Sequence, residues 1–205
     1  RGGMRTLQVI GVPDGPLPDD IDAVVIALKS RTVSPEEAVS QSLQALQWLR
    51  AANCQQFFFK YCSTFDSTSR GNIGPVADAL ADALGASFAV ACPAFPENKR
   101  TIYNGHLFVA QQLLSDSGMR NHPLTPMTDA NLVRVLAQQT RKFVGLVAHP
   151  VVSKGAQAIA AAFDDLAAQG HGYAIVDAID DADLYAIGLA VADHKLVTGG
   201  SGVAL

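Results

Sequence analysis

The 205-residue sequence predicts an α/β protein, with helices on both sides of a mainly parallel sheet in three layers (αβα). Three observations carry that expectation. Seven short runs rich in Val, Ile and Phe recur along the chain, and most gaps between them show helical periodicity. One irregular Pro-rich insertion, from about residue 92 to 126, breaks the alternation and holds four of the ten prolines.

The first two apolar runs cover residues 6–10 and 23–28. Ser34 then opens a helix: its hydroxyl can cap the first turn, Glu37 can reach back three residues later, and Pro35 suits the first helical position. This helix is expected to reach about Ala51, with Ala38, Leu43, Leu46 and Leu49 turned inward. Residues 56–60 form the third run, followed by a helix from Pro75 to Leu84 that Gly85 ends. The fourth run is 87–91. Beyond the insertion, "MTDANLVRVLAQQT" reads as a helix, 143–147 as a strand and "SKGAQAIAAAFDDLAAQG" as a helix ending at Gly170. Residues 173–176, "DDADLYAIGLAVADH" and residues 196–198 complete the series as strand, helix and strand. Runs this apolar suit strands buried on both faces, and alternation with helices of this length implies parallel crossovers. Within the insertion, "TIYNGHLFV" is expected to form a hairpin around Asn104-Gly105.

Composition excludes several functional classes. The 15 Lys and Arg are outnumbered by 19 Asp and Glu and stand singly, so no footprint for nucleic acid or an anionic membrane appears. Cys54, Cys62 and Cys92 are odd in number and contain no Cys-x-x-Cys pair, which suits small buried groups in a reducing cytosol. No run approaches 18 apolar residues and no signal-peptide pattern opens the chain, so a cytoplasmic location is expected. The five histidines include no pair at metal-ligand spacing, and no metal site is expected. The chain starts without Met and closes on "KLVTGGSGVAL", a strand feeding a Gly-rich turn toward a helix. Both ends therefore read as cut from something longer.

Ligands of parallel α/β sheets bind outside the carboxyl ends of the strands, which selects the loops 29–32, 60–75, 92–100, 148–153, 177–181 and 199–202. The most polar of these is "KYCSTFDSTSRGNIGP", residues 60–75, with five Ser and Thr hydroxyls. Gly71, Asn72, Ile73 and Gly74 can present backbone N–H groups at a helix start, an arrangement suited to a carboxylate or phosphate. Arg31, Lys60 and Arg70 can make charge-assisted contacts to such an anion. Ser63, Thr64, Ser67 and Thr68 suit sugar hydroxyls. Asp66 can accept from two hydroxyls, act as a general base, or cap backbone N–H groups in an Asx turn, and spacing does not separate these roles. His106, beside the Asn104-Gly105 turn, is the one histidine expected near ligand. The "GGSG" run, Gly199, Gly200, Ser201 and Gly202, offers a phosphate cradle but fits neither the dinucleotide fingerprint nor the Walker A loop.

Taken together, "KYCSTFDSTSRGNIGP", "CPAFPENKRTIYNGHLFV", "HPLTPMTDANL" and "LVTGGSGVA" resemble the substrate-binding N-terminal domain of the four-carbon acid sugar kinases, the group of 3-oxo-tetronate and threonate kinases. The resemblance spans nearly the whole chain. It implies an ATP-dependent kinase acting on the terminal hydroxyl of a C4 sugar acid with Mg²⁺, built from two α/β domains with the site between them. It implies substrate-facing roles for Arg31, Lys60, Ser63, Asp66 and Ser67, and brings Phe95, Asn98, Arg100 and Thr101 toward the cleft with Gly105 and His106 behind. On that reading the chain is a single sugar-acid-binding domain without the family's first strand, which ends in an Asp-Asp-Phe-Thr-Gly-Ala-like segment, and without the nucleotide-binding domain. The expected partners are a small sugar acid and ATP, with a homo-oligomer compatible and no nucleic acid or membrane. A non-enzymatic α/β domain that binds an organic acid is the alternative.

Overall fold

The computed structural model describes residues 3–204. In chain order its elements are β1 (Thr6–Ile10), β2 (Ala23–Ala27), α1 (Pro35–Ala51), β3 (Phe57–Lys60), α2 (Ile73–Leu84) and β4 (Ala89–Cys92). Then come β5 (Arg100–Tyr103), β6 (His106–Val109), β7 (Gln112–Leu113), α3 (Leu132–Ala137), β8 (Phe143–Val147) and α4 (His149–Val152). The series ends with α5 (Ala156–Ala168), β9 (His171–Val176), α6 (Asp181–Ala190) and β10 (Leu196–Gly199).

The central sheet has the order β3-β10-β4-β9-β8 and is parallel throughout. Both β4 and β10 are buried along their whole length, as near-continuous apolar strands in an α/β sheet must be. Register sets Gly199 opposite both Lys60 and Cys92, so three strands end side by side at one edge. Helices flank the sheet in two connected groups, α1 against α2 with α3 beside it, and α5 against α4 and α6.

Several boundaries differ from the sequence expectation for local reasons. Ser34 caps α1 by accepting from the Glu37 N–H at 3.2 Å, but the Glu37 carboxylate accepts from Gln41 instead of returning to the cap. α2 begins at Ile73, two residues before Pro75, because the Gly74 N–H finds an acceptor in Gln139 Oε1 at 2.9 Å. Gly155, at φ 91°, separates the short α4 from α5. β1 and β2 pair in parallel with each other as a separate two-stranded sheet, and their side chains are only half covered, with Ile10 and Val25 exposed.

The insertion is ordered. β5, β6 and β7 form an antiparallel meander, and Asn104 (φ 47°) with Gly105 (φ 71°) supplies the two left-handed residues that a tight hairpin turn requires. Ile102, Leu107 and Leu114 of this segment are fully buried and join the main core, which accounts for its order.

Candidate functional site

The site is built at the carboxyl end of β3. Past Lys60 the Tyr61 N–H donates to the Gly199 carbonyl and prolongs the pairing with β10. The Tyr61 ring is buried edge-on against Phe59 and Phe65, and its hydroxyl lies 3.0 Å from Thr198 Oγ1. Because Thr198 spends its own hydrogen on the Val90 carbonyl, Tyr61 is the donor of that pair. Burial raises the Tyr61 phenol above its ordinary range, so it stays protonated.

The chain then turns sharply. Phe65 adopts φ 56° with its side chain wholly buried, an uncommon backbone state for a bulky residue and of a kind concentrated at functional sites. This turn sets Thr64 and Asp66 side by side: Thr64 Oγ1 donates to Asp66 Oδ1 at 2.5 Å. Since the Thr64 hydrogen is committed there, the Cys62 thiol 3.0 Å away acts as donor to Thr64. The other carboxylate oxygen, Oδ2, accepts from Arg31 Nη1 at 3.2 Å. Asp66 is 6% exposed at its side chain and Arg31 58%, so a buried anion is met by a cation that reaches in from solvent.

Arg31 belongs to the loop after β2, and Asn72 fixes that loop. Its side-chain amide donates to the carbonyls of Ser30 (2.8 Å) and Val33 (3.2 Å). Lys29, at φ 53° just after β2, marks the same bend. Asn72 thus serves the site by holding the segment that carries Arg31. Ser67 and Gly74 are tied to α3's end: Gln139 Nε2 donates to Ser67 Oγ (2.9 Å) and to the Thr68 carbonyl (2.7 Å), while its Oε1 takes the Gly74 N–H. A side chain at Gly74 would stand 2.5 Å from Gln139 Cβ, so the glycine allows the close approach. The side chains of Ser63 and Lys60 make no hydrogen bond or ion pair among the described residues and keep their polar groups available.

The remaining candidates lie in a second region, around the insertion. Phe95 and Arg100 exchange backbone bonds around a 3₁₀ turn at Pro96–Asn98, and the Arg100 guanidinium donates to the Asn98 carbonyl. Arg100 Nε is buried and without a partner. His106 has both ring nitrogens engaged: Nδ1 lies 2.8 Å from the Asn104 carbonyl and so carries the hydrogen, leaving Nε2 to accept from Asn131 at 3.3 Å. The glycines of the "GGSG" run serve packing. Added Cβ atoms at Gly199, Gly200 and Gly202 would come within 2.7, 2.6 and 2.3 Å of the carbonyl oxygens of Cys92, Pro93 and Ala94. The Gly200 N–H donates to Cys92.

Sequence reading missed Asp177. It directly follows β9 and is fully buried, and its carboxylate accepts from the N–H groups of Asn104 (2.6 Å), Gly105 (2.8 Å) and His149 (2.9 Å). Burial pushes this carboxyl up while the three donors pull it down. An acid directly after the apolar run "YAIV" was the available signal. Gln139 had none, being 72 residues from Ser67.

Fold and site together define an α/β domain that presents a polar loop cluster at the carboxyl edge of a parallel sheet. The chain belongs to the sugar-binding N-terminal domain family, whose model matches residues 1–205. It is 61% identical over 207 residues to a 3-oxo-tetronate kinase of Pseudomonas fluorescens, covering 100% of this chain and 48% of that protein. A crystal structure of a Haemophilus influenzae protein matches with a TM-score of 0.96 at 56% identity, over 98% of this chain and 49% of that one. A Bordetella bronchiseptica protein, described as a domain-swapped dimer with bound citrate, matches with a TM-score of 0.79 at 26% identity, over 98% of this chain and 49% of that one. The chain spans about half the length of these relatives.

Proposed function

We propose that this chain is the substrate-binding half of an ATP-dependent kinase that phosphorylates a four-carbon sugar acid, of the 3-oxo-tetronate, threonate or erythronate type, on its terminal hydroxyl. The observation that carries the proposal is the buried Asp66 carboxylate, held by Arg31 and Thr64 at the carboxyl edge of a domain whose relatives are named 3-oxo-tetronate kinases. Asp66 keeps lone pairs free to accept from substrate hydroxyls, Arg31 keeps N–H groups free to donate, and Ser63 and Lys60 add an unpaired hydroxyl and ammonium.

In the reaction, the terminal hydroxyl oxygen forms a bond to the γ-phosphorus of ATP. The bond from that phosphorus to the β-γ bridging oxygen breaks, ADP leaves, and the hydroxyl proton is released. Such transfer depends on positioning and on neutralising charge. This chain contributes the positioning of the acceptor. With both oxygens already engaged, Asp66 holds and orients the hydroxyl. Among the described residues no group of three or more His, Cys, Asp or Glu is placed to hold a metal ion. We assign ATP and its Mg²⁺ to the part of the relatives that this chain does not span. The free thiols suit a cytoplasmic setting, and the dimeric Bordetella neighbour makes a homo-oligomer the assembly to test.

A coupled assay of ATP consumption by the full-length protein against four- and five-carbon sugar acids tests this reading. Turnover confined to C4 acids is expected. Binding of the acids with no nucleotide consumed on any of them would replace the kinase by a binding protein.

A further inference from the structure

A groove of about 420 Å³ runs between the loop after β3 and the segment that leads into α3, lined by residues 67–70 on one side and by Leu124 and residues 126–129 on the other. Its floor is apolar, with Met127 and Val135 buried. Two charged side chains line it, Arg70 and Asp129. Asp129 is neutralised by Arg134, whose Nε and Nη2 reach its two oxygens at 2.9 and 2.7 Å and hold its carboxyl below the usual range. Arg70 is exposed and its guanidinium has no hydrogen bond or ion pair among the described residues. The groove's uncompensated charge is therefore a single positive fork, flanked by the Ser69 and Thr128 hydroxyls.

The backbone beneath Arg70 is fixed although its side chain is free. The Thr68 carbonyl accepts from Gln139 Nε2 at 2.7 Å and from the Gly71 N–H at 2.8 Å. Gly71 admits no side chain, since a Cβ there would lie 1.8 Å from Ser67 Oγ. These bonds also spend the N–H groups of Gly71 and Gly74, leaving neither for a phosphate. One planar guanidinium with hydroxyls beside it matches a carboxylate, which it grips with two parallel N–H···O bonds. Arg31, by contrast, already spends its Nη1 on Asp66.

We propose that this groove receives the carboxylate of the small hydroxy acid, with Arg70 as its clamp. The identity of the acid rests on the kinase reading; the anion clamp does not.

Calorimetric titration of the full-length protein, with and without ADP, tests the proposal. The probes are threonate, erythronate, 3-oxo-tetronate, the uncharged polyol threitol and inorganic phosphate. Arg70→Ala is expected to weaken at least one acid by about tenfold to a hundredfold, leaving any threitol binding unchanged, and Arg70→Lys to restore part of the loss. Arg141→Ala, on the opposite edge of the sheet, should bind as wild type does. Acid affinity untouched in Arg70→Ala, no acid bound by the wild type, or phosphate bound through Arg70 more tightly than the acids would each overturn the carboxylate clamp. Turnover measured in parallel separates the two readings: lost acid affinity in Arg70→Ala without any wild-type turnover keeps the clamp and removes the kinase, whereas normal turnover with unchanged affinity does the reverse.

Discussion

Asp66 keeps its carboxylate out of water because each oxygen has a partner, Thr64 on one side and Arg31 on the other. Removing either charge of this pair changes what a substrate meets. Arg31→Ala and Asp66→Asn in the full-length enzyme are each expected to raise KM for the C4 acid about tenfold or more, the loss of a charge-assisted hydrogen bond, with the fold retained by circular dichroism. Near-normal turnover in both would remove these residues from the site. Asn72→Ala should act on the same step from a distance. It releases the carbonyls of Ser30 and Val33, so stability should fall by about 1–3 kcal/mol in denaturant titration and KM should rise as for Arg31→Ala. The sequence made Arg31 and Asp66 candidates through the strand-end rule, but not their pairing. They are 35 residues apart, and no periodicity joins two loops across a sheet. Phe65 escaped notice for the opposite reason: its run of neighbours is polar, and only the backbone angle shows that a buried ring at φ 56° aims the acid.

Elements were more legible than their ends. Each apolar run became a strand, and those buried along their whole length, β4 and β10, need little else than small and β-branched apolar residues. The Asn-Gly signal placed the β5–β6 turn correctly. What sequence missed was tertiary capping. α2 starts early because a glutamine from the end of α3 occupies the place an anion would take, and Gly74 is small so that it can. Gly74→Ala is accordingly expected to cost about 1–3 kcal/mol through forced displacement of Gln139, read as a lower urea midpoint at unchanged slope. Beside the backbone bridge between Ile102 and Ala178, a carboxylate helps to latch the insertion. Asp177→Ala would leave three N–H groups without their acceptor, that of Gly105 buried and those of Asn104 and His149 part-buried, and a loss of about 1–3 kcal/mol is expected, smaller for Asp177→Asn, which keeps one acceptor oxygen.

At the scale of the whole molecule, the α/β class was legible in the sequence but the separation of β1 and β2 from the main sheet was not, since their apolar runs resemble those of the other strands. The difference lies in coverage: β1 alternates between half-covered and exposed positions, and β2 is nowhere more than half-covered, with Val25 exposed. Stability of the assembled molecule should depend on pH through His194, which is half-buried against Phe163 and held below its ordinary value of 6.5 by burial, opposed by the charges of Asp164 and Asp193. Below that value the unfolded chain binds the proton more readily than the folded one, so stability present above about pH 6.5 should decline on acidification. Replacement by Gln should reduce that decline, measured as the difference in Tm between about pH 7.5 and about pH 5.5.

The latch at Asp177 also offers a clock. Its three captive amides, Asn104, Gly105 and His149, sit at the junction of the insertion with the sheet. They can surrender their hydrogens to deuterated solvent only when that junction opens. Their exchange rates therefore time how often the insertion lifts from the sheet edge, whether or not any sugar acid is turned over.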